Sequence, residues 1–360
     1  MPIDQHQQSG VQDIAAIRGI RMAVFTTLCL AVVTILKFPA PFLPPLFVSM
    51  LLMLPGPAPG LIGGIKFVVL MVISLGIGIV LLPILEYQAG AAILIMILGL
   101  FGSFYYVVNG GSPLVATFFT LGFSVIPLVG SESIDLAIQL SIAFVQALCM
   151  ALPFIWLGHA IMPDPLTDTS PVSPQPAAIE PANAARSALR ATLVVFPPLA
   201  FLLLTSATAG YAAALIKIAQ LGQQATGDMS RHAGRSLLLS TLIGGIGGIA
   251  IWSVLKVWPV LPIYVLLMLL AGLIFAPRIF RGPALAPSAD TWSYGFTTLI
   301  IIIGPAVADG AAGDAAGAKF IERIIMFMLA TLWAVMAVFV FDHWLKPKSA
   351  NPVARTHIAG

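Results

Sequence analysis

The chain has 360 residues, 59% of them hydrophobic and only 9% charged, with a formal net charge of +3. A soluble domain carries about 25% charged residues, so this composition cannot build a water-facing surface. Soluble enzymes are excluded, and so is nucleic-acid binding, because the basic residues stand singly at the ends of apolar runs.

Residues 1–17 are polar and include Asp4 and Asp13. They lack the basic n-region of a signal peptide, so the first apolar run is expected to be a retained span behind a cytoplasmic N-terminal segment. Apolar runs near the ~20 residues needed to cross ~30 Å of hydrocarbon recur along the whole chain. The first repeat (18–161) is expected to hold spans at 19–37, 41–54, 61–84, 89–108, 113–130 and 135–161. A Pro-, Ala- and Ser-rich stretch, 162–185, reads as a cytoplasmic linker. The second repeat (186–345) follows, with spans at 187–205, 207–222, 234–255, 258–276, 292–308 and 318–345, then a polar cytoplasmic tail, 346–360. Fourteen helical residues reach only about 21 Å, so 41–54, framed by prolines, invites a re-entrant reading, as does 207–222.

Internal similarity gives the halves a common order. Arg21 matches Arg190 and Lys66 matches Arg235, both at an offset of 169 (190 − 21 and 235 − 66). At the same offset "SLGIGIVLLPIL" (74–85) aligns with "IGGIGGIAIWSV" (243–254), and "FFTLGFSVIP" (118–127) aligns with "FTTLIIIIGP" (296–305) at 178. "WLGHAIMP" (156–163) pairs with "VFDHWLKP" (340–347) at 184, keeping His159 with His343. Duplicated membrane units are the common build of transporters.

Charge placement fixes the topology expected of this repeat. With six crossings per half, one side receives Arg18, Arg21, Lys66, Arg186, Arg190, Lys217, Arg231, Arg235, Arg278, Arg281, Lys346, Lys348 and Arg355, and the other only Lys37, Lys256, Lys319 and Arg323. The richer side is cytoplasmic by the positive-inside rule. The fold expected is therefore an all-α polytopic membrane protein, with about twelve transmembrane helices as two parallel six-helix repeats and both termini inside.

Several residues are candidates for a substrate path. Arg21, Lys66, Arg190 and Arg235 lie near the cytoplasmic ends of their spans, either as snorkelling anchors or as a four-cation mouth that gathers anions. Thr117, Thr120, Thr297 and Thr298 on the fifth spans, and Tyr105 and Tyr106 ending the fourth, offer hydroxyls to a bound acid; interhelical packing is the alternative use. Asp309 and Asp314 in the last loop, with His159 and His343 at the ends of the last spans, are candidates for proton coupling. The glycines at 76, 78, 244, 245, 247 and 248 are expected to let helices approach closely. There is no Walker loop, no His-Glu-x-x-His pattern and no Asp-rich prenyl-transferase motif. No enzyme activity, metal or cofactor is expected.

Arg18-Gly-Ile-Arg21 before a first span, the short proline-framed second span "PAPFLPPLFVSMLLMLPGPAPG" (39–60), and the repetition from Arg186 give the chain a resemblance. It resembles the fusaric acid resistance and aromatic acid exporter superfamily, as a compact branch without that family's soluble cytoplasmic domain. The resemblance implies an efflux transporter of the bacterial inner membrane that expels small aromatic acids and related toxic compounds. It further implies drive by the proton-motive force, an HlyD-like periplasmic membrane-fusion adaptor as partner, and room for a homo-oligomer. A passive organic-anion channel and a non-transport membrane assembly protein are the alternatives.

Overall fold

A computed structural model describes residues 5–54, 56–164, 181–205, 212–227, 233–280, 286–310 and 316–344. They form twelve α-helices and, among the described residues, no strand. The first half holds α1 (Gln5–Ile35), α2 (Leu43–Met53), α3 (Leu61–Tyr87), α4 (Ala89–Val108), α5 (Pro113–Glu132) and α6 (Ile134–Ile161). The second holds α7 (Pro181–Leu204), α8 (Ala212–Gly227), α9 (Ala233–Val257), α10 (Leu261–Ile279), α11 (Ala286–Gly310) and α12 (Ala316–Trp344). Prolines open α2, α5 and α10, where a missing N–H costs no helical bond. Ten of the helices are long and apolar enough to cross a membrane alone. The protein is an all-α polytopic membrane protein.

Two expected boundaries move. Helix α1 starts at Gln5, so part of the polar N-terminal segment is helical and continuous with the first span. The expected span 207–222 is displaced to α8, Ala212–Gly227, because Gln220, Gln223 and Gln224 lie inside the bundle instead of ending the helix at an interface.

Helix α2 has 11 residues, so it covers only about 16 Å at 1.5 Å per residue. It nevertheless carries the chain across. Arg21, near the start of the α1 span, meets Asp164 and the Met162 carbonyl beyond the end of α6. The start of α1 and the end of α6 therefore share a face, which requires an even number of crossings. Trp156 of α6 donates to the Pro59 carbonyl at 2.7 Å, so the chain has returned to that face before α3 begins. Residues Leu43–Ser49 of α2 are buried, as are Leu51 and Leu52, so the short helix is enclosed by protein, where a segment too short to span lipid alone is tolerated at membrane depth. Arg190 of α7 likewise reaches both the Ala225 carbonyl near the end of α8 and Asp342 near the end of α12.

The halves repeat the same packing. Helix α3 lies on α5 as α9 lies on α11; α2 joins α1 and α6 as α8 joins α7 and α12. Between halves, α1 packs on α10 and α7 packs on α4, the same partners exchanged. Gly19 meets Ala276 and Gly272 meets Ala23, so α1 and α10 run antiparallel. An inverted second half would make them parallel; the repeat is a parallel one.

The local register of the duplication differs from the sequence alignment. A Cβ on Gly78 would meet the Gly122 carbonyl, and one on Gly244 would meet the Gly295 carbonyl. Gly78 therefore corresponds to Gly244 and Gly122 to Gly295, offsets of 166 and 173 in place of 169 and 178. Glycine-rich stretches offer several near-equal alignments, and only the packing partner selects one.

Candidate functional site

The four repeated cations separate into two kinds. Arg21 (2% exposed) and Arg190 (4%) point inward and are tied down. Arg21 pairs with Asp164 at 3.0 Å and donates to the Met162 carbonyl at 2.8 Å, while Arg18 reaches the same carboxylate at 2.7 Å. Arg190 faces Asp342 at 3.5 Å. Burial pushes the Asp164 carboxyl up, but the Arg18 hydrogen bond and the charges of Arg21 and Arg18 outweigh it, holding the group below the usual carboxylate range. These pairs fasten the first helix of each half to its last.

Lys66 and Arg235 are exposed on the outer faces of α3 and α9. Ile62, Val69 and Ile73 share Lys66's helical face and are exposed with it, as Leu239, Leu242 and Ile246 are with Arg235. They are placed to snorkel to headgroups, and the four cations do not converge on one mouth.

The other sequence candidates are distributed as follows. Thr117 and Thr120 are buried, and each hydroxyl donates to the carbonyl one turn earlier, Pro113 and Ala116. Thr297 does the same toward Ser293 and Tyr294. Tyr105 stacks on Phe101 with centroids 5.9 Å apart, and Tyr106 is exposed beside Gly111. Asp309 belongs to the last turn of α11 and is paired with Arg323 and, at 3.9 Å, with Lys319. A ring nitrogen of His159 lies 2.9 Å from the Ile155 carbonyl, and His343 is exposed, stacked on Phe339. Asp314 lies outside the described residues, as do Arg231, Arg281, Lys346, Lys348 and Arg355.

Of the threonines, Thr298 is the one joined to a charge. Its Oγ1 accepts from Lys217 Nζ at 2.7 Å while donating to the Tyr294 carbonyl. Lys217 is 0% exposed, about a turn and a half into α8, so it is no interfacial anchor and leaves the positive-inside tally. Below it the seam between α8, α9 and α11 stays polar. Gln224 Nε2 donates to Ser236 Oγ at 2.9 Å, Ser240 donates to Gln224 Oε1 at 3.1 Å, and Ser236 and Thr291 are joined at 2.7 Å. Lys217, Gln220 and Gln224 are spaced i, i+3, i+7 and share one helical face. The matching helix α2, Leu43–Met53, contains neither charge nor amide, so the buried charge and amides have no counterpart there. Sequence reasoning missed this seam, although a helix with one lysine and three glutamines opposite a counterpart whose one polar side chain is Ser49 is a readable signal.

At the opposite face from the arginine pairs, a cavity of about 760 Å³ opens between the halves. The end of α1 and start of α2 line it on one side, the ends of α9 and α11 and the starts of α10 and α12 on the other. Phe42, Trp252 and Tyr264 give it aromatic walls, and among the described residues Lys256 is the one charged residue that lines it. Its floor is close-packed: a Cβ on Gly304 would collide with Phe42.

Residues 18–157, which are α1 to near the end of α6, match the model of a family described as "protein of unknown function (DUF2955)". No curated protein and no solved structure matches the chain.

Proposed function

We propose that the protein is a bacterial inner-membrane efflux transporter for small organic acids, aromatic ones above all, with both termini in the cytoplasm. The observation that carries this reading is the cavity between the two repeats. Its volume falls within the ~300–1,000 Å³ of small-molecule sites, and among the described residues it combines aromatic walls with one cation, Lys256. A flat ring with one carboxylate complements such a lining. The basic residues left at the arginine-pair face, against Lys37, Lys256, Lys319 and Arg323 at the cavity face, support placing that cavity on the periplasmic side. There an HlyD-like adaptor would receive the substrate, in keeping with the resemblance to aromatic acid exporters.

Energy would come from the proton gradient. A proton moving inward across ~100 mV releases about 2.3 kcal/mol, which supports a concentration ratio of somewhat under two orders of magnitude. Bacterial cells expressing the protein and preloaded with labelled benzoate should retain several-fold less than control cells, and a protonophore should erase the difference. Equal retention in the two strains contradicts export; a difference that survives the protonophore points to a channel.

A further inference from the structure

The polar seam of the second half has unfilled bonding capacity at its deepest point. Lys217 carries three N–H donors when charged, and among the described residues one is used, on Thr298. No carboxylate oxygen of the described residues lies within 4.0 Å of its Nζ. The Oε1 of Gln220, one turn away on the same face, and both amide atoms of Gln223 are buried without a hydrogen-bond partner. Gln220 is 4% exposed and Gln223 5%. Buried polar groups are nearly always satisfied, and a buried cation is costly unless it is paired. The spare Lys217 donors and the unpartnered Gln223 Nε2 already suit an anion. The vacant Gln220 Oε1 is an acceptor, so Gln220 meets an anion only after its amide turns over and puts Nε2–H in that place.

We propose that Lys217 and Gln220, supported by Thr298 and Gln223, form an anion-binding site inside the membrane that takes the carboxylate of a small organic acid. Two carboxylate oxygens match the two remaining ammonium donors, and the Gln220 amide, turned to present Nε2, supplies a further N–H. Along α11 this site lies beneath the outer cavity, with Thr298 six residues, or about 9 Å of helix, from Gly304 in the cavity wall and the close-packed Gly304–Phe42 contact between them. Helix α2 has no equivalent group, so each chain binds one ligand although the fold is duplicated.

The proposal rests on the transport reading for the class of its ligand, and the two can fail separately. Purified full-length protein is titrated with benzoate, and with benzamide and chloride as comparators. Wild type is expected to bind one benzoate per chain and to discriminate against benzamide and chloride. Lys217→Met should bind benzoate at least about thirty-fold more weakly, the usual scale for removing one partner of a buried charged pair, and Lys217→Arg should recover much of that loss. Gln220→Leu, which leaves the lysine in place, is expected to weaken benzoate binding about ten-fold, as loss of one hydrogen bond to a charged group does. The thermal midpoint of Lys217→Met should be no lower than wild type, which separates lost binding from lost folding. Unchanged benzoate affinity in both Lys217→Met and Gln220→Leu, or chloride or benzamide binding as tightly as benzoate, would overturn the assignment. Binding without flux would remove the transporter and keep the site; flux indifferent to Lys217→Met would do the reverse.

Discussion

Asp164→Asn is expected to destabilise the detergent-solubilised protein far more than Arg21→Met, although the two side chains form one ion pair. Arg21 is 2% exposed, and its other partner is the Met162 carbonyl. Neutralising Asp164 strands a buried guanidinium, a change that costs about 3–5 kcal/mol when the pair is fully buried. The Asp164 side chain is 24% exposed, so the lower end of that range applies. Arg21→Met removes the cation instead, fills much of its volume, and leaves Asp164 bound to Arg18 at 2.7 Å. The second-half pair is looser, at 3.5 Å with Asp342 38% exposed, so Asp342→Asn should cost less than Asp164→Asn. Acid provides an internal check. A carboxyl held below its unfolded value of 3.8 contributes stability that is present above that pH and lost as pH falls through the folded value. The gap in melting temperature between wild type and Asp164→Asn should therefore shrink below about pH 4. Equal effects of the two single substitutions would mean that the pair is a surface contact and does not fasten α1 to α6.

The second large effect concerns glycines that look alike in the sequence. Gly78→Ala places a methyl group against the Gly122 carbonyl and within 2.8 Å of Ile126, and Gly244→Ala places one 2.7 Å from Thr298 Cβ. Both force apart tightly apposed helix pairs, α3 from α5 and α9 from α11, at about 1–3 kcal/mol each. Gly76→Ala and Gly245→Ala meet nothing within 4 Å, so lower chain entropy and better helix propensity make them neutral or stabilising by up to about 1 kcal/mol. Melting curves of the four variants check this, and destabilisation by Gly76→Ala equal to that by Gly78→Ala would refute the helix apposition. Gly244→Ala also presses on the threonine that holds Lys217, so it should weaken benzoate binding, whereas Gly78→Ala should not.

The spans were legible because apolar runs end at prolines, glycines and polar clusters; α4 falls at 89–108 as its sequence says. Helix α8 was misplaced for a physical reason. Hydropathy treats Gln220, Gln223 and Gln224 as water-facing, whereas α8 packs against α4, α5, α7, α9, α11 and α12, and these residues are buried within the bundle. Lys217 was counted as an anchor on the same ground. The direction in which Lys66 and Arg235 point was not legible either, because α3 and α9 are apolar around most of their circumference and the sequence carries little helical phase. The arginine tethers were half legible. Each half has an arginine near the start of its first span and an aspartate at the end of its last, Asp164 and Asp342, yet the alignment fixed on the neighbouring histidines.

The central claim, that a duplicated membrane bundle moves organic acids, is tested most directly by flux. Full-length protein is reconstituted into liposomes loaded with labelled benzoate, and a pH gradient is imposed in either direction. The expected result is efflux faster than in protein-free liposomes, accelerated when protons enter from the opposite side and slowed at least ten-fold by Lys217→Met. Efflux no faster than from protein-free liposomes, under either gradient, would contradict the account.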